Sequence, residues 1–242
     1  VFYCGLPLVS KGEVKGVLEV FHRDYYSVED EWKDFYETLA TQTAIAIDNA
    51  ELIENIRRKN IEMDLAYHAT LEGWVHALDL RDKETEGHTQ RVVKRTLRLA
   101  KAMGIDDEKL VHIRRGALLH DIGKLGIPDR ILNKPNKLNE KERKEMEKHP
   151  IYAREMLSKI NFLHPALAIP YCHHEKWDGS GYPRGLKGGN IPLEARIFSL
   201  IDVWDALSND RPYRKAWPQE KIIGYIKSQS GIYFDPSVVI EK

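Results

Sequence analysis

His120 and Asp121 stand side by side in Gly116-Ala-Leu-Leu-His-Asp-Ile-Gly-Lys-Leu-Gly-Ile-Pro128, at the end of an apolar run and just before Gly123, Lys124 and Gly126. Adjacent residues on a helix point about 100° apart, so such a pair reaches one ion only where the backbone turns at the helix end, or if one of the two bridges a pair of ions. The glycines that follow make a turn easy. Alone, the pair reads more simply as an N-capping aspartate beside a half-buried histidine. The rest of the chain gives it company. His149 precedes Pro150, and His173-His174-Glu175 opens a polar, glycine-rich loop that runs to Pro183. Asp202 and Asp205 follow in an apolar stretch, and upstream Glu84 and His88 stand four apart, on one face of a helix.

In these residues the chain resembles the bacterial HD-GYP domains, the branch of the HD phosphohydrolase superfamily that hydrolyses cyclic di-GMP. The matching motifs are His120-Asp121-Ile-Gly-Lys124, the run His-His-Glu-x-x-Asp-Gly-x-Gly-Tyr-Pro from His173 to Pro183, and Arg211-Pro-Tyr-Arg214, together spanning roughly residues 70 to 242. The resemblance implies a metal-dependent phosphodiesterase that opens cyclic di-GMP to linear pGpG and carries it on to GMP. Asp121, Lys124 and His120 would be its catalytic residues. Two other functions stay open: a degenerate module that keeps the fold and binds a signal without turnover, and a sister activity on another cyclic dinucleotide.

With that resemblance, the candidate ligands are Glu84, His88, His120, Asp121, His149, His173, His174 and Asp202. They are too many for one ion, so two or three divalent ions are expected, paired as is usual for phosphodiester cleavage, with Asp121 as the bridge and Glu84 supporting a third. An imidazole and carboxylate set without thiol suits iron or manganese better than structural zinc. Asp202 lies in Ser-Leu-Ile-Asp-Val-Trp-Asp-Ala-Leu, where apolar neighbours should bury it and a metal should be its partner. Lys124 is expected to bind a phosphate oxygen or assist the departing alkoxide. Gly179, Gly181 and Gly185 should let the backbone approach a ligand closely. Tyr182, next to Pro183, offers a ring for stacking on guanine, and Arg211 and Arg214 around Tyr213 can grip phosphate or the guanine edge. His22, His68, His76, His112 and His164 belong to no motif and read as ordinary surface or core residues. Cys172, beside Tyr171, reads as a small core residue.

Helices must position this set. Apolar faces recur at Leu71, Trp74, Val75 and Leu78, then from Val92 to Met103 with Gly104 as the stop, then from Leu110 to Leu118 leading into His120. Asn139 should cap a charged helix to Lys148; helices from Tyr152 to Ile160, Ala166 to Tyr171 and Ile191 to Leu207 follow, and Pro218 fits a first turn. Nothing after residue 22 reads as a strand, so the fold class is mainly α, an all-α HD-type domain over 71–242.

Ahead of it, Phe2–Val9 and Val14–His22 read as a hairpin around Lys11-Gly12-Glu13, which would be marginal alone and calls for a sheet from a preceding segment or another chain. The chain starts at Val1 in the middle of what reads as a strand, so further residues are expected before it. By order and pattern, residues 1–50 resemble the last strands and closing helix of a GAF sensory domain, with a linker helix over 51–70. Ser27-Val-Glu-Asp30 has the form of a capping box, and no Gly or Pro follows until Gly73, which implies one long helix or two end to end. Leu39, Ala46 and Ile53 step by seven, with Phe35, Ile56 and Met63 on the companion seam and Gln42, Asn49 and Asn60 interrupting it. The pattern suits either a parallel dimer or one amphipathic helix lying on its own domain. The GAF resemblance favours a homodimer.

Composition sets outer limits. Lys and Arg total 37 against 37 Asp and Glu, so general attraction to polymeric nucleic acid or membrane is not expected, and a nucleotide must be caught locally. Two cysteines give no disulfide framework, and no stretch reads as a signal peptide or a membrane span. The reduced cytosol is the expected compartment.

Overall fold

The computed structural model describes residues 1–25, 27–82, 87–210 and 215–239. Glu84, Arg211, Tyr213 and Arg214 lie outside the described residues. The chain is mainly helical with one two-stranded sheet, and divides into two compact units, Val1–His68 and Ala69–Lys242.

In the first unit, β1 (Phe2–Ser10) pairs antiparallel with β2 (Glu13–His22). The two-residue turn puts Lys11 at φ 51° and Gly12 at φ 85°, the left-handed geometry that suits tight hairpins. Leu8 packs on Ala40 and Ala44 of α1 (Asp30–Arg81), with Leu6, Leu18 and Ile47 around them. Lys15 lies 3.3 Å from Asp48 and 3.0 Å from Glu51 of the same helix. The expected start at Ser27 shifts. The first intrahelical bond runs from Lys33 N to Glu29 O (3.1 Å), so Glu29 ends the loop, and Asp30 and Glu31 bring negative charge to the positive end of the helix. The seam residues Phe35, Leu39, Ala46, Ile53, Ile56 and Met63 are exposed.

In the second unit the end of α1 contributes Leu71, Val75 and Leu78 to the core. Then come α2 (His88–Ala102) and α3 (Asp107–Leu118), a 3₁₀ turn (Ile122–Gly126), and α4 (Asp129–Leu132). Next are α5 (Glu140–Met146), α6 (His149–Leu157), α7 (Ala168–Cys172), α8 (Leu193–Ser208), α9 (Gln219–Ser228) and α10 (Pro236–Val239). Asn139 caps α5 as expected, and Glu142 answers it with a side-chain bond to the Asn139 N–H, which makes a capping box. The core gathers Val92, Ile113, Ala117, Leu157, Ile197, Phe198 and Ile222 from five helices. Among the described residues no strand follows His22, and one isolated bridge joins Ser230 to Phe234. No described helix is long and apolar enough to cross a membrane.

Candidate metal centre

The chain turns where the site needs it to. α3 ends at Leu118, and His120 and Asp121 occupy the turn before the 3₁₀ segment, which frees the neighbouring side chains from the 100° separation of a helix. Gly123 makes the next step possible. A Cβ there would overlap the His149 carbonyl oxygen and lie 2.6 Å from the Ala153 nitrogen, so only glycine lets the 3₁₀ turn approach α6 this closely. That approach brings His149, the first residue of α6, to Asp121. His173 and His174 arrive from the end of α7, His88 from the first residue of α2, and Asp202 from α8.

Four histidines are held by Nδ1. His120 donates to Ala117 O (2.9 Å), His149 to Met146 O (2.8 Å), His173 to Ile169 O (3.1 Å) and His88 to Asp205 Oδ2 (2.9 Å). Each bond fixes the tautomer whose Nε2 carries a lone pair. His149 Nε2 and His173 Nε2 then face each other at 3.4 Å. Phe198, fully buried, packs under the rings of His120 and His173 at 4.8 and 5.9 Å.

Ligand atoms converge in two groups. Those of Asp121, His149, His173 and His174 lie within 4.8 Å of one another, and so do those of His88, His120 and Asp202. Asp121 faces both. Its Oδ1 is 3.4 Å from His149 Nε2 and 3.8 Å from His173 Nε2, while its Oδ2 is 3.1 Å from His120 Nε2. His88 Nε2 lies 3.4 Å from Asp202 Oδ1.

The electrostatics favour bare ligands. Burial lowers the pKa of His149 and, more strongly, of His173, and burial with the nearby His149 brings His174 down to about 3. Burial alone would raise Asp121, but Lys124 and His120 outweigh it and hold the carboxyl well below its usual range. Neutral imidazoles beside an ionised carboxylate, two of them lone pair to lone pair, fit divalent cations and leave such cations as the natural partner.

Several expectations change. The deeply buried carboxylate of α8 is Asp205; Asp202 keeps a side chain 22% exposed. Asp205 accepts from His88, from Arg91 Nε (3.1 Å) and from Arg95 Nη1 (2.7 Å), so the partners that α8 needed came from α2. Lys124 is neither solvated nor free: its Nζ lies 2.8 Å from Asp121 Oδ2 and 2.7 Å from Asp82. Gly179 and Gly185 adopt φ 87° and 63°, and a Cβ on Gly181 would strike the backbone of His174–Lys176. Tyr182, joined to Pro183 by a cis peptide bond, stacks its ring on His174 (4.7 Å, 29°). Cys172 is buried, and burial pushes its thiol up to about 11.

Besides Asp205, Arg91 and Arg95, three more residues escaped sequence reasoning. Glu175, buried, accepts from the backbone N–H groups of Arg184 (2.8 Å) and Leu186 (2.9 Å) and so anchors the loop to the double histidine. Arg81 donates to the carbonyls of Leu125 (2.8 Å) and Ile127 (2.6 Å), tying the end of α1 to the 3₁₀ turn, and Asp82 beside it holds Lys124. Glu175 carried a signal, a charge inside the His-His-Glu run; Arg81 and Asp82 carried none.

Fold and site define a helical unit built around a buried histidine–aspartate cluster capable of holding divalent metal. Residues 75–238 match the pattern of the HD domain family, and the chain belongs to that family. It is 39% identical over 197 residues to the 3′3′-cGAMP-specific phosphodiesterase 2 of Vibrio cholerae, covering 81% of this chain and 36% of that protein. It is 40% identical to the cyclic di-GMP phosphodiesterase response regulator RpfG of Xanthomonas campestris, covering 74% of this chain and 48% of that one. A cyclic di-GMP phosphodiesterase of Thermotoga maritima is 43% identical over 66% of this chain and 44% of its own length. The chain thus spans less than half of each of these relatives. Among solved structures, Bd1817, a HDG"Y"P protein from Bdellovibrio bacteriovorus, shares the fold with a TM-score of 0.53 at 24% identity, covering 65% of this chain and 51% of that one.

Proposed function

We propose that this chain is the HD-GYP part of a metal-dependent phosphodiesterase that hydrolyses cyclic di-GMP to linear pGpG and on to GMP. The observation that carries the reading is the Asp121 carboxylate, with one oxygen toward His149 and His173 and the other toward His120. In this reading His88, His120 and Asp202 would hold one ion and His149, His173 and His174 the other, with Asp121 placed to serve both. Divalent ions held there would supply Lewis acidity, lowering the pKa of a coordinated water and offsetting phosphate charge. The ligand atoms suit iron or manganese. The protein's own groups do the rest. Neutral histidines give up no proton on binding, the Lys124 ammonium stands beside Asp121 to meet phosphate charge, and Tyr182 lies close enough to the cluster to stack on a guanine. Arg211, Tyr213 and Arg214 complete substrate binding, and Glu84 supports a third ion that favours GMP over arrest at pGpG.

Residues 1–50 are the end of a GAF-like sensor, 51–70 a linker helix and 71–242 the catalytic domain of a cytoplasmic homodimer paired along the exposed seam. A second reading, hydrolysis of 3′3′-cGAMP, draws on the relatives named for that substrate. The test is anaerobic purification with metal analysis, then chromatography of products from cyclic di-GMP and 3′3′-cGAMP side by side. Asp121→Ala should lose activity and bound metal with helix content unchanged; normal hydrolysis by that variant would refute the site. Glu84→Ala should lower metal per chain and the ratio of GMP to pGpG.

A further inference from the structure

The two faces of α8 do different things. Asp202 and Asp205 point to the metal centre, while Leu200 and Trp204 line a groove of about 560 Å³ closed by α2, α9 and α10. Its walls are apolar: Leu99, Leu200, Trp204, Ile226 and Val238. The volume falls within the range of small-molecule sites, roughly 300–1,000 Å³. Its charged lining has one sign. Arg95, Arg98 and Lys227 line it, and no acid does among the described residues.

We propose that this groove binds a small amphipathic carboxylate, tail against the apolar walls and head against the arginines, and that it reports to the metal centre through Arg95. Arg95 belongs to both places. It lines the groove, and its Nη1 is 2.7 Å from Oδ1 of Asp205, whose Oδ2 holds His88 Nδ1 at 2.9 Å. A carboxylate in the groove competes with Asp205 for the same guanidinium. Asp205, left with Arg91 and His88, then has less of its charge offset, and the stronger field on His88 makes that imidazole a better ligand. Occupancy therefore tightens the divalent ion held by His88, and by reciprocity the ion tightens the carboxylate. The link rests on the metal-centre reading proposed above; the binding site does not.

The probe is decanoate, titrated below micelle formation into the full chain by calorimetry. One saturable site is expected, weakened at least tenfold by Arg98→Glu, an exposed change, and abolished by Ala102→Trp, which fills the groove away from Asp205. Decyltrimethylammonium, with the same tail and the opposite charge, should not bind. Equal binding of the cation, or decanoate affinity unchanged in Arg98→Glu with normal circular dichroism, overturns the site. So does self-association that decanoate reverses, which assigns the groove to a second copy. With the site occupied, Mn²⁺ should bind on the order of fivefold more tightly. An unchanged or weakened Mn²⁺ affinity overturns the link, while a chain that binds decanoate but no divalent ion overturns the metal-centre reading and the link with it.

Discussion

Asp205→Asn keeps the shape of the side chain and removes its charge, and the consequences follow from four donors. In the native chain the carboxylate accepts from His88 Nδ1 (2.9 Å), Arg91 Nε and Nη2 (3.1 Å each) and Arg95 Nη1 (2.7 Å). An amide has one acceptor oxygen and turns two N–H donors toward donors that are already there. Hydrogen bonds to charged groups contribute about 1.5–3 kcal/mol each. The carboxyl gives a second route to the same scale: burial would raise it, but the bonds from His88 and Arg91 hold it at about 2. Against an unfolded value near 3.9, that is about 2–3 kcal/mol of stability at neutral pH. Because the folded value is the lower one, this contribution is complete above about pH 4 and fades as pH falls toward 2. The variant should therefore unfold about 5–10 °C below the native chain at pH 7, by the scaling for a domain of this size. Below pH 2 the difference should close. Loss of the His88 anchor should weaken Mn²⁺ binding by about 10–100-fold. Calorimetric titration of Mn²⁺ into the apo chain, with thermal unfolding followed by circular dichroism, measures both. Mn²⁺ affinity within twofold of native would refute the claim that Asp205 orients a ligand.

Gly123→Ala should lower stability by about 1–3 kcal/mol through overpacking against His149 and Ala153 and weaken Mn²⁺ binding, whereas Gly189→Ala, with nothing within 4 Å of the new Cβ, should do neither in the same assays. Because burial lowers His149, His173 and His174, the unfolded chain takes up protons below about pH 6.5 that the folded chain does not; each such histidine should cost up to about 1.4 kcal/mol per pH unit on acidification. Urea unfolding of the apo chain from pH 7 to 5 should show that slope, saturating Mn²⁺ should flatten it, and a flat apo profile would contradict neutral, desolvated imidazoles. Lys124→Met removes the cation between Asp82 and Asp121, so turnover should fall about a hundredfold or more while Mn²⁺ affinity rises, readable by calorimetry beside product chromatography.

What the sequence made legible was local. Adjacent His120 and Asp121 pointed to a turn at a helix end or to a bridging ligand, and the turn is there; Asn139 signalled its cap; β-branched and aromatic residues on either side of Lys11-Gly12-Glu13 marked the hairpin. What stayed hidden depended on partners far along the chain. Asp202 and Asp205 stand three apart on one helix, and their different burial is decided by Arg91 and Arg95, more than a hundred residues earlier. The clamp of Arg81 on the 3₁₀ turn has no local pattern at all, since its acceptors are main-chain carbonyls. Loop glycines signal that backbone comes close to something without saying to what, and Gly181 lies against the chain's own His174–Lys176 backbone.

Glu175 gives the double histidine and its loop a heritable unity. Its two backbone acceptances from Arg184 and Leu186 close a ring of chain on itself, and Gly181 lies inside that ring against His174–Lys176. The stretch from His173 to Leu186 therefore carries its own ruler. One inserted or deleted residue would move Tyr182 off His174 and part the aromatic ring from the ligands in a single step. Length, more than composition, is what drift in this segment must respect.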